Sequence, residues 1–236
     1  MASNPRPSVN TSLPEPRLCV ADDATFWPWV NWPDFATYPN KDKTVVILPI
    51  AGLCDWGLGE ALDAEEAVLT ALIRETSLTR PKDLPILVLP PVRFVLGPTP
   101  KSAFAIDPDV AGQLLEEVLG SVAIAGFKKV TFLNASPWNE ELCKAVGRDV
   151  RISRRLQMFC VHLSALGLDF SPSRGGGRTK VTQVLAAVRG VDGSLEAAAG
   201  RQVLSDTAAR LASILGEMSA KAALANGGIL ETKTWP

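Results

Sequence analysis

Residues 53–66, LCDWGLGEALDAEE, leave the apolar run TVVILPI with five acids (Asp55, Glu60, Asp63, Glu65 and Glu66), one thiol, Cys54, and no imidazole. Carboxylates grouped in this way can hold a magnesium or calcium ion through oxygen ligands. More often, acids ahead of a helix complement the partial positive charge of its first turn, and that is the reading adopted here. Cys54 beside Asp55 could act as a nucleophile only with a base within reach, and the chain has a single histidine, His162. A buried, inert thiol is the better reading. Ser136, in the stretch NASPWN, has no adjacent base and reads as a helix cap. The stretch SRGGGRT, residues 173–179, sets Arg174 and Arg178 around three glycines, whose free amides could cradle a phosphate. It lacks the lysine spacing of a nucleotide-binding loop, so it reads as a flexible loop.

These residues need elements to position them. The run 44–49 is β-branched and apolar throughout, as in a strand of a parallel sheet buried on both faces. Helical spacing follows over residues 60–76, with Leu62, Leu69, Leu72 and Ile73 on one side. LPILVLPPV (84–92) predicts a second strand, after which a long loop reaches a helix capped by Asp107 or Asp109. Its buried stripe is Leu115, Val118, Leu119 and Val122, and Gly126 ends it. Residues 129–133 form a third strand, and residues 134–139 a tight polar turn that opens a helix. Alternation around Met158, Cys160 and His162 favours a fourth strand, and His162 is a core or sheet-edge histidine. A last helix carries Leu204, Ala208, Leu211, Leu215 and Met218. Alternating strands and helices predict an α/β fold, a three-layer α/β/α sandwich with a mostly parallel sheet and ligands at the carboxyl ends of the strands.

With 236 residues and a formal net charge of -1, the chain suits one domain and offers no polyanion-binding surface, so no nucleic-acid partner is expected. Residues 1–25 read as a disordered polar lead rather than a signal peptide, and residues 26–236 as the single domain. No run is long and apolar enough for a membrane span, so a cytoplasmic protein is expected. The four cysteines, Cys19, Cys54, Cys143 and Cys160, form no CxxC pair and read as reduced thiols. Trp27, Trp29 and Trp32, in FWPWVNWPDF, pack the N-terminal arm or serve a subunit contact.

At two strand ends the wording resembles the creatininase (creatinine amidohydrolase) family of metal-dependent amide hydrolases. LPIAGLCDWGLGEALDAEE stands where that family has Pro-x-Gly-Ser-x-Glu-x-His-Gly-x-His-Leu-Pro followed by an Asp. GFKKVTFLNASPWN is similar to its Gly-Phe-Arg-Arg strand ending in Asn-Gly-His-Gly-Gly-Asn, or with a Glu before the last Asn. Between them, LPPVRFVLGPTPKSAFAID matches a Leu-Pro-Pro strand and the loop beyond it. The resemblance spans about residues 26 to 220. It implies that the family's metal-binding Glu falls on Cys54, two His on Trp56 and Gly59, its Asp on Glu65, a further His on Ser136 and a Glu on Trp138. A third motif would put a catalytic His on Gly175 and an acid on Lys180.

Only Glu65 keeps a ligand type. A hydrolytic divalent metal needs several N or O ligands and an open position for water, while an indole donates one N–H and ligates nothing. The expectation is therefore a catalytically degenerate family member, with no catalytic residue assigned and no zinc, manganese or other cofactor, Glu65 alone being a candidate ligand. Trp56 and Trp138 should fill the emptied metal pocket. Lys180 or Arg178 should stand in for the ion's charge against Glu65, Asp63 or Asp55. The remaining role would be ligand binding or assembly, as a homo-oligomer, which the resemblance implies, or with an active relative. The alternative is a divergent amidohydrolase on a small or cyclic amide, using Cys54, Asp55, Glu65 or a single metal.

Overall fold

The computed structural model describes residues 25–96, 101–171, 177–190 and 194–222. The N-terminal lead and most of the glycine-rich stretch, Gly175 included, lie outside them. After a 3₁₀ turn at Trp27–Trp29 and a short helix α1 (Trp32–Ala36), the chain runs β1 (Val45–Ala51), β2 (Leu53–Cys54), α2 (Ala64–Thr79), β3 (Ile86–Val88), β4 (Val92–Arg93), β5 (Val95–Leu96), β6 (Ser102–Ala103), β7 (Ala105–Ile106), α3 (Pro108–Ile124), β8 (Lys129–Asn134), α4 (Glu140–Ser153), β9 (Gln157–His162), α5 (Gly177–Val188) and α6 (Leu195–Ala220).

The central sheet is parallel, in the order β3-β1-β8-β9, with β4 continuing the β3 side of β1. Every residue of β1 is buried, because it is flanked by strands and covered on both faces. Its side chains alternate between two cores. Val45 and Ile47 pack with α2, α5 and α6, whereas Val46, Leu48 and Ile50 pack with α3, α4 and the N-terminal aromatics. This is the expected three-layer sandwich. Val45 stands level with Lys129, and Lys129 with Gln157, so β1, β8 and β9 end together at the carboxyl edge.

Local chemistry explains most boundaries. Asp107 caps α3, its carboxylate accepting from Asp109 N at 2.8 Å, and Gly126 follows the helix at φ +91°. The hydroxyl of Ser194 caps α6 by accepting from Ala197 N at 3.0 Å. At the far end of α6 the Lys129 ammonium donates to Ser219 O at 2.6 Å and Lys221 O at 2.5 Å, placing a cation where helix carbonyls lack partners. Burial holds the Lys129 pKa below its ordinary value.

Two expectations need correction. Helix α2 begins at Ala64 rather than at Glu60: Gly57 and Gly59, at φ +64° and +72°, bend the chain at 57–59, and a turn at 62–63 leads into the helix. Leu62 is consequently 43% exposed and leaves the buried stripe. The second concerns residues 177–180, read as loop and metal motif, which form the first turn of α5.

Candidate functional site

Where β1 and β8 end side by side, the first turn of α2 delivers Glu65 beneath them, and its side chain is completely buried. Gly52 N donates to its Oε2 at 2.5 Å, and the Trp56 indole Nε1 donates to its Oε1 at 2.9 Å. Desolvation raises the carboxyl to about 7 against the smaller, opposing effects of the Gly52 N–H, the Trp56 indole and the Ser136 hydroxyl. The Ser136 hydroxyl, itself buried, faces the carboxylate without completing a hydrogen bond of ordinary geometry. Gly52 must be glycine for so close an approach: a Cβ there would lie 2.8 Å from Val95 Cγ2 and 3.1 Å from Glu65 Oε2.

Trp56 is held on several sides. Its ring stacks on Trp138 at 6.2 Å between centroids and 17° between planes, and Phe170 lies 5.9 Å away. From α5, Arg178 Nη2 donates to the carbonyls of Trp56 at 2.7 Å and Gly57 at 3.1 Å. The guanidinium thus fixes the backbone that carries the indole. Trp138, 49% exposed, roofs the arrangement.

The neighbouring acids are occupied by cations from distant parts of the chain. Arg93 grips Glu66 with two bonds of 2.6 Å. Arg189, just beyond α5, binds Glu60 and Asp63 at 2.8 Å each. Asp55 accepts from Gly57 N at 2.7 Å and lies 3.7 Å from Lys101. Beside this cluster, Asn134 at the end of β8 donates to Ser136 O at 2.8 Å and meets His162 Nδ1 at 3.2 Å. Glu140, opening α4, accepts from the Ser164 hydroxyl at 2.7 Å. His162 is buried at the end of β9, the edge strand, as a core or sheet-edge histidine should be.

The sequence profile of the Creatininase family, creatinine amidohydrolase, matches residues 29–187. The chain belongs to the creatininase family. Solved structures of creatininase-like proteins share its fold at low identity. A creatinine amidohydrolase (creatininase) aligns at 13% identity with a TM-score of 0.61, over 84% of this chain and 99% of that one. A putative creatinine amidohydrolase from Bacteroides fragilis NCTC 9343 aligns at 10% identity with a TM-score of 0.62, over 86% and 100%. A glutamate-to-glutamine variant of creatininase complexed with creatine aligns at 13% identity with a TM-score of 0.62, over 84% and 99%. No curated protein sequence matches the chain.

Of the positions assigned from the creatininase resemblance, the structure brings together Trp56, Glu65, Ser136 and Trp138. Cys54 is buried on β2 beside them in the chain, its N–H bonded to Leu62 O at 3.2 Å. Gly59 is an exposed turn glycine away from the cluster, and Asp55 turns to Lys101. Lys180 lies on the exposed face of α5, with its ammonium toward Gly167. The expected replacement of an ion's charge by Lys180 or Arg178 therefore does not occur at Glu65. Arg178 serves backbone carbonyls, Arg189 and Lys101 serve the outer acids, and burial leaves Glu65 to an indole and an amide.

The donor set of the described residues around Glu65 does not fit a hydrolytic divalent metal. Among the described residues, no three His, Cys, Asp or Glu side chains converge as a metal cage. Both oxygens of Glu65 already accept from N–H groups, and the ring that supplies one of them occupies the approach. Sequence reasoning missed Gly52, Phe170, Arg93 and Arg189. Gly52 carries a local signal, a lone glycine at a strand end; the two arginines lie 27 and 126 residues from their acids and carry none.

Proposed function

We propose that this chain is a catalytically degenerate creatininase-family protein, in which the amidohydrolase scaffold persists and a tryptophan plug stands at the family's metal position. The observation that carries the reading is the 2.9 Å hydrogen bond from Trp56 Nε1 to buried Glu65, with the same ring stacked on Trp138. An indole can neither ligate a metal nor activate a water, and both oxygens of Glu65 are engaged by N–H donors. What remains is a rigid scaffold for ligand binding or assembly, with copies of itself or with a catalytically competent relative. No helix among the described residues is long and apolar enough to cross a membrane.

The rival reading, a divergent hydrolase of a small or cyclic amide, draws on the buried Glu65 carboxyl, whose pKa burial raises to about 7, a range suited to a general base. Hydrolysis assays separate the two. The purified chain, supplied with zinc or manganese, is expected to leave creatinine and a panel of small linear and cyclic amides unhydrolysed above the buffer rate. Turnover that disappears in Glu65→Gln would overturn the proposal.

A further inference from the structure

Beside the core opposite to the one that Trp56 joins, an apolar groove of about 500 Å³ lies between the N-terminal aromatic turn and the end of α3. Trp27, Val30, Trp32 and Phe35 line it from the turn, Ile124 lines it from α3, and Lys41 is the one charged residue in the lining. Its base is prebuilt: Trp27 packs on Phe35 at 4.7 Å and on Phe127 at 5.2 Å, while the Lys41 ammonium sits 5.8 Å over the Phe127 ring. Its rim is not covered by the described fold, since Trp32 is 57% and Ile124 43% exposed. Both side chains thus border the same apolar groove.

We propose that this groove docks the chain's own proline-rich segment, residues 13–18, LPEPRL. The residues preceding Thr25 carry Pro5, Pro7, Pro14 and Pro16. Grooves walled by aromatic rings select proline-rich segments, because the polyproline II helix is already formed and loses little entropy on binding. With three residues per turn, Leu13 and Pro16 share one edge of such a helix and Pro14 and Arg17 the next. Two adjacent edges thus present Leu13, Pro14, Pro16 and the Arg17 stem to the rings. The attachment point fits. Thr25 O accepts from Val88 N at 2.6 Å, Phe26 bridges to Val88, and two residues past Thr25 the chain reaches Trp27 in the groove wall. Six residues, 19–24, separate the segment from Thr25, a chain length that spans at most roughly 20 Å.

The six tryptophans provide the readout as six indole N–H signals in a two-dimensional NMR spectrum of the full chain. The combined substitution Leu13→Ser, Pro14→Ser and Pro16→Ser is expected to shift the Trp27 and Trp32 signals and leave Trp56 and Trp138 in place. A synthetic peptide of residues 10–20 should then restore them saturably, and the same peptide with both prolines replaced should bind at least tenfold more weakly. Unmoved Trp27 and Trp32 signals in the substituted chain would overturn the proposal. So would signals that move with protein concentration while the mass in solution doubles, which would assign the groove to a second copy.

Discussion

Completely buried, and with no cation hydrogen-bonded to it among the described residues, Glu65 holds its proton up to about pH 7, against 4.5 for an unburied glutamate, although its two N–H donors oppose the shift. The folded state therefore binds this proton more tightly than the unfolded state does. Its contribution to stability is complete below about pH 4.5 and is lost as pH rises through about 7. At about 1.4 kcal/mol per pH unit the loss amounts to about 3 kcal/mol. Urea unfolding between pH 4.5 and 8 should show that decline in the parent chain and a much flatter profile in Glu65→Gln. Trp56→Phe keeps the stacking surface and deletes the N–H. It should cost about 1–2 kcal/mol and raise the Glu65 pKa further, because one interaction that lowers it is gone. Equilibrium unfolding with carboxyl titration by NMR would check both effects; an unchanged pKa would show that the indole bond contributes nothing in solution.

At the scale of elements, the site depends on two backbone approaches that only glycine permits. Gly52→Ala would drive its methyl against Val95 and the Glu65 carboxylate, and a loss of about 1–3 kcal/mol is expected in thermal or urea unfolding. Gly200 on α6 lies under α5 so tightly that a Cβ would come 1.9 Å from Gln183 O. Gly200→Ala must push the helices apart, so it should cost more than Gly52→Ala and loosen the α5 residue Arg178, which hydrogen exchange at Trp56 and Gly57 would detect. Helix α5 also shows where sequence reasoning stops. Its start, GRTKVT, follows a run of glycines and lacks an apolar stripe of its own; α2 and α6 supply the surface that makes Val181, Val184 and Leu185 a core face. By contrast β1, β8 and α6 were legible, because full burial and strict helical spacing leave direct marks on residue type.

For the whole molecule, the order of strands and helices was enough to reach the three-layer fold. The surroundings of Glu65 were only half legible. Strand-end wording drew attention to Trp56 and Trp138, which the structure stacks beside Glu65, but the partners of the acids arrive by long-range packing, Arg93 through β4 and Arg189 through the end of α5. Charge pairs of that kind depend on tertiary geometry that residue spacing does not encode. The most direct test of a tryptophan-filled site is the metal content of the full chain, expressed with zinc and manganese in excess, dialysed and analysed by plasma mass spectrometry. Well below one metal ion per chain, unchanged by Glu65→Ala, is the expected result; one or more tightly held ions per chain, lost in Glu65→Ala, would contradict it.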